Sequence, residues 1–204
     1  ELMFLNVCNT FCMDQNITTY IPEAARAQIH ALLDDKYLHI IVKKARKTRH
    51  GDYRKLKNGG HQITVNDNLN PCRFLVTLLH EIAHYHAYRL YGNNIQPHGL
   101  EWKLIFKKIM LPFLRPDVFP NKILALLAKY IKNPKATTDS DLHLSLALKS
   151  LDPPSHKIYI FEVDPGSTFI ASNGKMYKKG KKRRSRYECI AIDSGRMYAF
   201  NPNA

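Results

Sequence analysis

"HEIAHYH", residues 80–86, constrains this chain more than any other stretch. It packs three histidines and a glutamate into seven positions, and on a helix residues i and i+4 stand one above the other. His80 and His84 then point two imidazoles at a single ion. Glu81 is offset from that face and reaches a metal-held water instead of the ion, which is the physical content of an HExxH pattern. With the 10 His and 6 Glu of this 204-residue chain, chance produces such a pattern roughly once in seventy trials. His86 lies six residues beyond His80, about 240° round the helix, and reads as an ordinary packing or surface histidine.

The flanking residues supply the helix. Asn70 is a suitable cap, Pro71 suits the first turn, and Gly92 is a stop after "CRFLVTLLHEIAHYHAYRLY". The run is apolar on most sides, which predicts a central, buried helix. Upstream, "PEAARAQIHALLDD" (22–35) predicts a helix, "YLHIIVKKARK" (37–47) a strand, and "HQITVN" (61–66) another strand after Gly59-Gly60. "TRHGDYRK" reads as a turn region around Gly51, at most a hairpin partner. Downstream, helices are predicted over 100–110, 121–133 and 137–151. The prolines of "DPPS" (152–155) mark a boundary. After them, "KIYIFEV", "STFIAS", "KMYKK", "SRYECIAI" and "RMYAF" predict a small antiparallel β module. The expected fold is α+β, with domains at 1–151 and 152–204.

A catalytic metal needs a third protein ligand and an open position. A third histidine six residues past the second is excluded because position 90 is Leu. Glu101 is one candidate. His98, in "QPHGLEWK", is the better one, because the turn at Gly92-Asn93-Asn94 lets the chain double back and Gly99 leaves room for close approach.

"HEIAHYHAYRLYGNNIQPHGLEWK" resembles the SprT-like metallopeptidases, which pair a helical HExxH with a downstream His-Gly and a nearby Trp-Lys. "TLLHEIAH" and the earlier "GDYR…HQITVN" look like that family too, so the resemblance covers roughly residues 20–130. It implies a zincin-like domain of helices and a small antiparallel sheet around the HExxH helix. It also implies one Zn2+ per chain on His80, His84 and His98, with Glu81 as catalytic base in a zinc metalloendopeptidase acting on protein substrates. Zinc brings a water's pKa from about 15.7 toward 7, and Glu81 takes the proton as that water attacks the peptide carbonyl. Many such proteins end in a cysteine-ligated zinc ribbon. Here only Cys189 stands where paired cysteines are needed, so the C-terminal module is expected to be ribbon-like without zinc ligands. Tyr85, Tyr88 and Tyr91 are expected in the core rather than at the oxyanion. Trp102 is expected to pack and hold His98, Lys103 to be solvated, and substrate to add along the "HQITVN" strand.

Charge adds a second theme. The chain carries 31 Lys+Arg against 17 Asp+Glu, a formal +14, so polyanions are its natural partners. "KMYKKGKKRRSRY" (175–187) holds eight basic residues and no acid. With Gly180 at a hairpin turn, Lys178, Lys179, Lys181, Lys182, Arg183, Arg184 and Arg186 would form one phosphate-binding patch, with Tyr177 and Tyr187 able to stack on bases. A basic stretch from Lys43 to Lys57 would extend it. Nucleic acid is therefore an expected partner, and the SprT-like resemblance implies that it, DNA more than RNA, recruits or activates the peptidase. The alternative is a basic nucleic-acid-binding protein with a structural or vestigial zinc site. The solvated-turn reading of the patch competes with both.

Cys8, Cys12, Cys72 and Cys189 contain no CxxC pair and read as free thiols of a reducing compartment. No apolar run approaches the ~20 residues a membrane crossing needs, so no membrane partner is expected. "ELMFLNVC" lacks the basic n-region of a signal peptide. Met13 is a candidate start, and a cytoplasmic location follows by default.

Overall fold

The computed structural model describes residues 17–33, 35–46, 48–154 and 158–202. Cys8, Cys12, Met13 and Ser155 of "DPPS" lie outside the described residues. The described residues form two compact units: one holds those up to Ala136 together with Ala147–Asp152, the other Thr137–Leu146 and those from Pro153 on.

In the first unit the expected helix over 22–35 is shorter. Pro22 precedes a 3-10 turn at Glu23–Ala25, and α1 covers Arg26–Leu32, burying Ile29. Three strands follow: β1 (Leu38–Lys43), β2 (Gly51–Lys55) and β3 (His61–Asn66). They lie in the order β1-β3-β2, with β1 parallel to β3 and β2 antiparallel to it. One expectation changes here and another is decided. The sheet is mixed rather than antiparallel, and of the two readings of "GDYRK", turn or hairpin partner, it is the hairpin partner of β3. Its composition hides it, because polar residues occupy both faces; cross-strand partners hold it, with Arg54 Nε donating to Gln62 Oε1 (2.8 Å) and the Tyr53 hydroxyl on His61 Nδ1 (2.9 Å).

The long helix, α2, spans Pro71–Tyr91. Asn70 caps it, its side chain accepting from the Arg73 N–H at 3.0 Å, and its amide nitrogen donates to the Leu148 carbonyl at 2.7 Å. Gly92 stops it in a left-handed backbone conformation (φ 65°) that favours glycine. Phe74, Leu75, Leu78, Leu79 and Ile82 are fully buried, each contributing about 1.5–3 kcal/mol of transfer free energy. α2 packs against β2, β3 and α3 (Leu100–Met110), which buries Trp102, Phe106 and Met110 on its inner face. α4 spans Asn121–Tyr130, three residues short of the expected end. α5 (Leu142–Lys149) begins in the second unit and ends in the first.

The second unit carries an antiparallel meander, β4 (Thr168–Ile170), β5 (Met176–Lys182), β6 (Tyr187–Ala191) and β7 (Met197–Phe200), in sequence order. Tyr177, Cys189 and Ala191 form its core, flanked by Phe169, Tyr187 and Phe200. The described part of "KIYIFEV" is a turn, not a strand. The Glu162 carboxylate accepts from the Tyr159 N–H (2.7 Å) and the Glu162 N–H donates to the Tyr159 carbonyl (2.9 Å), closing the chain locally. Among the described residues no helix is long and apolar enough to cross a membrane.

Candidate metal centre

α2 delivers His80, Glu81 and His84 from consecutive turns of one helix. His98 arrives by a different route. After Gly92 the chain reverses through a tight turn in which the Gly99 N–H donates to the Gln96 carbonyl at 2.8 Å. His98 itself sits at φ 61°, the one non-glycine residue at positive φ among the described residues. Such a conformation costs about 1–3 kcal/mol and persists only where surrounding structure imposes it. A Cβ on Gly99 would lie 2.9 Å from the Gln96 carbonyl oxygen. Glycine is needed there by the turn itself, not by close approach to a ligand. α3 starts at the next residue, and Glu101 stands in its first turn, outside the cluster.

The three histidine Nε2 atoms form a triangle of 3.0 Å (His80–His98), 3.2 Å (His80–His84) and 2.9 Å (His84–His98). Ligands about 2.0–2.1 Å from a tetrahedral ion stand about 3.4 Å apart, so the triangle is close to the size a metal ion requires. Burial, with the neighbouring imidazoles adding to it, holds His80 well below its ordinary pKa, and burial with the His98 charge lowers His84 to about 4. Burial lowers His98 too. All three are then neutral near pH 7, the form that offers a lone pair to a metal. Three neutral imidazole nitrogens converging at this spacing can hold a metal ion between them; the residues fit a metal. His86 is half-buried beside the Tyr85 ring and takes no part in the group.

One indole backs the whole cluster. Trp102, 1% exposed, has its ring centroid 4.6 Å from His80, 5.2 Å from His84 and 4.7 Å from His98, and stacks on Phe106 at 5.1 Å. Lys103, the neighbouring charge, reaches Asn133 at the surface (2.8 Å). Trp102→Ala is expected to cost about 3–5 kcal/mol of stability and to weaken metal binding at the same time. Melting curves and metal titration of the same sample check both; an unchanged melting temperature contradicts the packing role.

Beside the histidines opens a cleft of about 610 Å³, lined by Gly51, Asp52 and Tyr53 of β2 as well as by His80, Glu81, His84 and His98. Glu81 is 8% exposed. Burial and the nearby Asp52 charge push its carboxyl up to about 8, against the charges of Arg46 and Arg49 and a hydrogen bond from the Tyr53 backbone N–H. A carboxyl poised near neutrality suits proton transfer. The tyrosines divide. Tyr85 is buried, its hydroxyl donating to Asp35 and accepting from Arg89 (2.7 Å). Tyr91 is exposed, whereas Tyr88 lines the cleft. The sequence reading missed Tyr53 and Gly51; only their alternation along a recognised strand would have placed both on the cleft side.

The basic run differs from expectation. Gly180 lies inside β5, where a Cβ would meet the Glu188 carbonyl oxygen at 3.0 Å across a β-bulge. The hairpin turn is at 183–186, closed by the Arg183 N–H on the Arg186 carbonyl (2.7 Å). Strand alternation therefore turns Lys179 inward. It is 3% exposed, donates to the Phe161 and Val163 carbonyls, and lies 4.2 Å over the Tyr187 ring. Tyr177 is in the core as well. Lys178, Lys181, Lys182, Arg183, Arg184 and Arg186 remain exposed, with Arg183 paired to Glu188 at 2.5 Å.

Residues 23–122 match the SprT-like family. Protein SprT of Pseudomonas fluorescens strain Pf0-1 is 40% identical over 76 residues, which is 37% of this chain and 45% of that protein. Protein SprT of P. fluorescens strain SBW25 and of P. aeruginosa strain LESB58 are each 52% identical over 33 residues, 16% of this chain and 20% of theirs. The chain thus spans less than half the length of these curated relatives. No solved structure matches.

Proposed function

Because the chain belongs to the SprT-like family through residues 23–122, we propose that it is a zinc-dependent endopeptidase. The observation that carries this is the triangle of His80, His84 and His98 nitrogens facing a cleft beside the buried Glu81. Structural zinc sites are closed by four protein ligands; the group here has three, among the described residues, and opens on a cleft. That arrangement favours a catalytic site over the structural or vestigial one of a purely nucleic-acid-binding protein. Zinc, when bound, supplies Lewis acidity and brings a water's pKa from 15.7 to about 7. Glu81 accepts the proton of the attacking water on its carboxylate and passes it to the leaving nitrogen. The mixed α+β fold around α2 is read as zincin-like.

The substrate strand cannot lie along β3 as the sequence suggested, because β1 and β2 occupy both its edges. The β2 edge carries Gly51, Asp52 and Tyr53 into the cleft. An extended peptide adding to that edge would bring its carbonyl to the histidines.

The exposed part of the basic turn supports recruitment by nucleic acid, with DNA the first candidate. Phosphate neutralisation releases counterions, so duplex affinity should fall with salt at a log–log slope of about −0.9 per contact. Changing Lys181, Lys182, Arg183 and Arg184 to Ser is expected to flatten that slope with zinc content unchanged; binding equal to wild type at every salt sinks the tether. The peptidase reading is tested by cleavage of a protein substrate with the zinc-loaded chain, alone and with single-stranded or duplex DNA, against Glu81→Gln. Cleavage that Glu81→Gln retains at the wild-type rate, or no cleavage under any condition, refutes it.

A further inference from the structure

We infer that the Gly51–Tyr53 end of β2 is the seat that aims the Glu81 carboxylate, which makes Gly51 and Tyr53 positioning residues for the proposed general base. The Glu81 side chain lies across the bare Cα of Gly51. A Cβ built there meets Glu81 Oε1 at 2.7 Å, the Thr77 γ-methyl at 2.7 Å and Glu81 Cγ at 2.9 Å. Real side chains do not tolerate such distances, so any other residue at 51 must displace the carboxylate or the helix that bears it. The backbone here is not the issue, since Gly51 has no positive φ. Glycine is required for space.

The same strand supplies the hydrogen bond. In the β2–β3 register Asp52 faces Thr64 and Arg54 faces Gln62, and the Asn66 N–H donates to the His50 carbonyl at 2.9 Å. Even-numbered residues thus spend their backbone groups on β3, and the odd-numbered ones turn theirs outward. The Tyr53 N–H consequently points away from the sheet and donates to the Glu81 carboxylate. The register is anchored by the Tyr53 hydroxyl on Nδ1 of His61, 2.9 Å away and 5% exposed. The Tyr53 ring lies near-parallel to His84 at 6.5 Å, so one residue borders both the base and a histidine of the metal cluster. A carboxylate held between an amide donor and a wall without a side chain has few rotamers left. Displacement of a catalytic group by about 1 Å can cost about 10²-fold in rate.

This inference rests on Glu81 acting as the base, and its test separates the two. In a Thr77→Ser host, which removes the other methyl the new Cβ meets, Gly51→Ala is made with Glu81 intact and with Glu81→Ala. With Glu81 intact, the zinc-loaded full chain is expected to lose about 10²-fold in kcat with KM within about twofold. The metal-free melting temperature is expected to fall by about 5 °C from overpacking. In the Glu81→Ala host the same substitution should move the melting temperature by less than about 1 °C, because the obstacle is gone. An equal drop in both hosts overturns the seat, as does an unchanged kcat with Glu81 intact. Should Gly51→Ala fail to fold alone, the variant that also carries Glu81→Ala must fold; if it does not, the seat is refuted. A chain with no peptidase activity refutes the base, while the melting cycle still judges the seat.

Discussion

Glu81→Gln is expected to keep its metal and lose at least about 10²–10⁴-fold of proteolysis, the usual cost of removing a general base. The amide has the shape of the carboxyl, and its oxygen can still accept the Tyr53 N–H that Glu81 accepts. It cannot take a proton from water. Stability should survive, because burial raises the carboxyl to about 8 and so already favours a neutral group at this position. The sign of the pH effect follows. A carboxyl raised from 4.5 to about 8 stabilises the metal-free fold fully below pH 4.5, and that contribution is lost as pH rises through 8. The histidines, with lowered pKa values, act in the opposite sense and are common to both proteins. The difference between wild-type and Glu81→Gln melting curves should therefore widen in favour of the variant as pH climbs from 4.5 to 8. Metal analysis and a proteolysis time course check the first part; a variant that cleaves at the wild-type rate removes Glu81 from the mechanism.

His98→Ala should abolish stoichiometric metal binding, and with it activity, whereas His86→Ala should leave both intact. Losing even an outer hydrogen-bond partner of a ligand typically costs 10–100-fold in affinity, so loss of a direct ligand should exceed about 100-fold. His98 holds one corner of a nitrogen triangle no wider than 3.2 Å; His86 stands outside it. The strained backbone of His98, at φ 61°, provides a sharper control. His98→Gly removes the ligand and relaxes the strain together, so the metal-free protein should gain up to about 1 kcal/mol of stability while losing the metal. The reverse metal contents for the His98 and His86 variants would contradict the ligand set.

α2 was fully legible in the sequence. Its cap at Asn70, its proline start, its glycine stop and the His80–His84 adjacency depend on neighbours within a few residues, and helical geometry turns those spacings directly into positions. His98 was half legible. The turn residues and Gly99 announced a reversal, but the positive φ that points the imidazole back to α2 is imposed by packing around Trp102 and the Gln96–Gly99 turn. β2 was half legible: the turn region around Gly51 left room for a hairpin partner, but "GDYRK" has no apolar alternation and is a strand only through partners that lie some ten residues further along, in β3. With no register for β2, the closed state of β3, the approach of Gly51 to Glu81 and the cleft-side place of Tyr53 were out of reach too. The inward turn of Lys179 belongs to the same class. A charge run reads as solvent-facing until strand register assigns alternate members to opposite faces, and here carbonyls of Phe161 and Val163 and the Tyr187 ring receive the buried ammonium. Sequence alone determined the chemistry that could be held on one helix, since that is a matter of 1.5 Å steps along a single axis. What surrounds that chemistry was decided by which distant segments hydrogen-bond side by side, a choice made by the packed whole and by no local stretch of it.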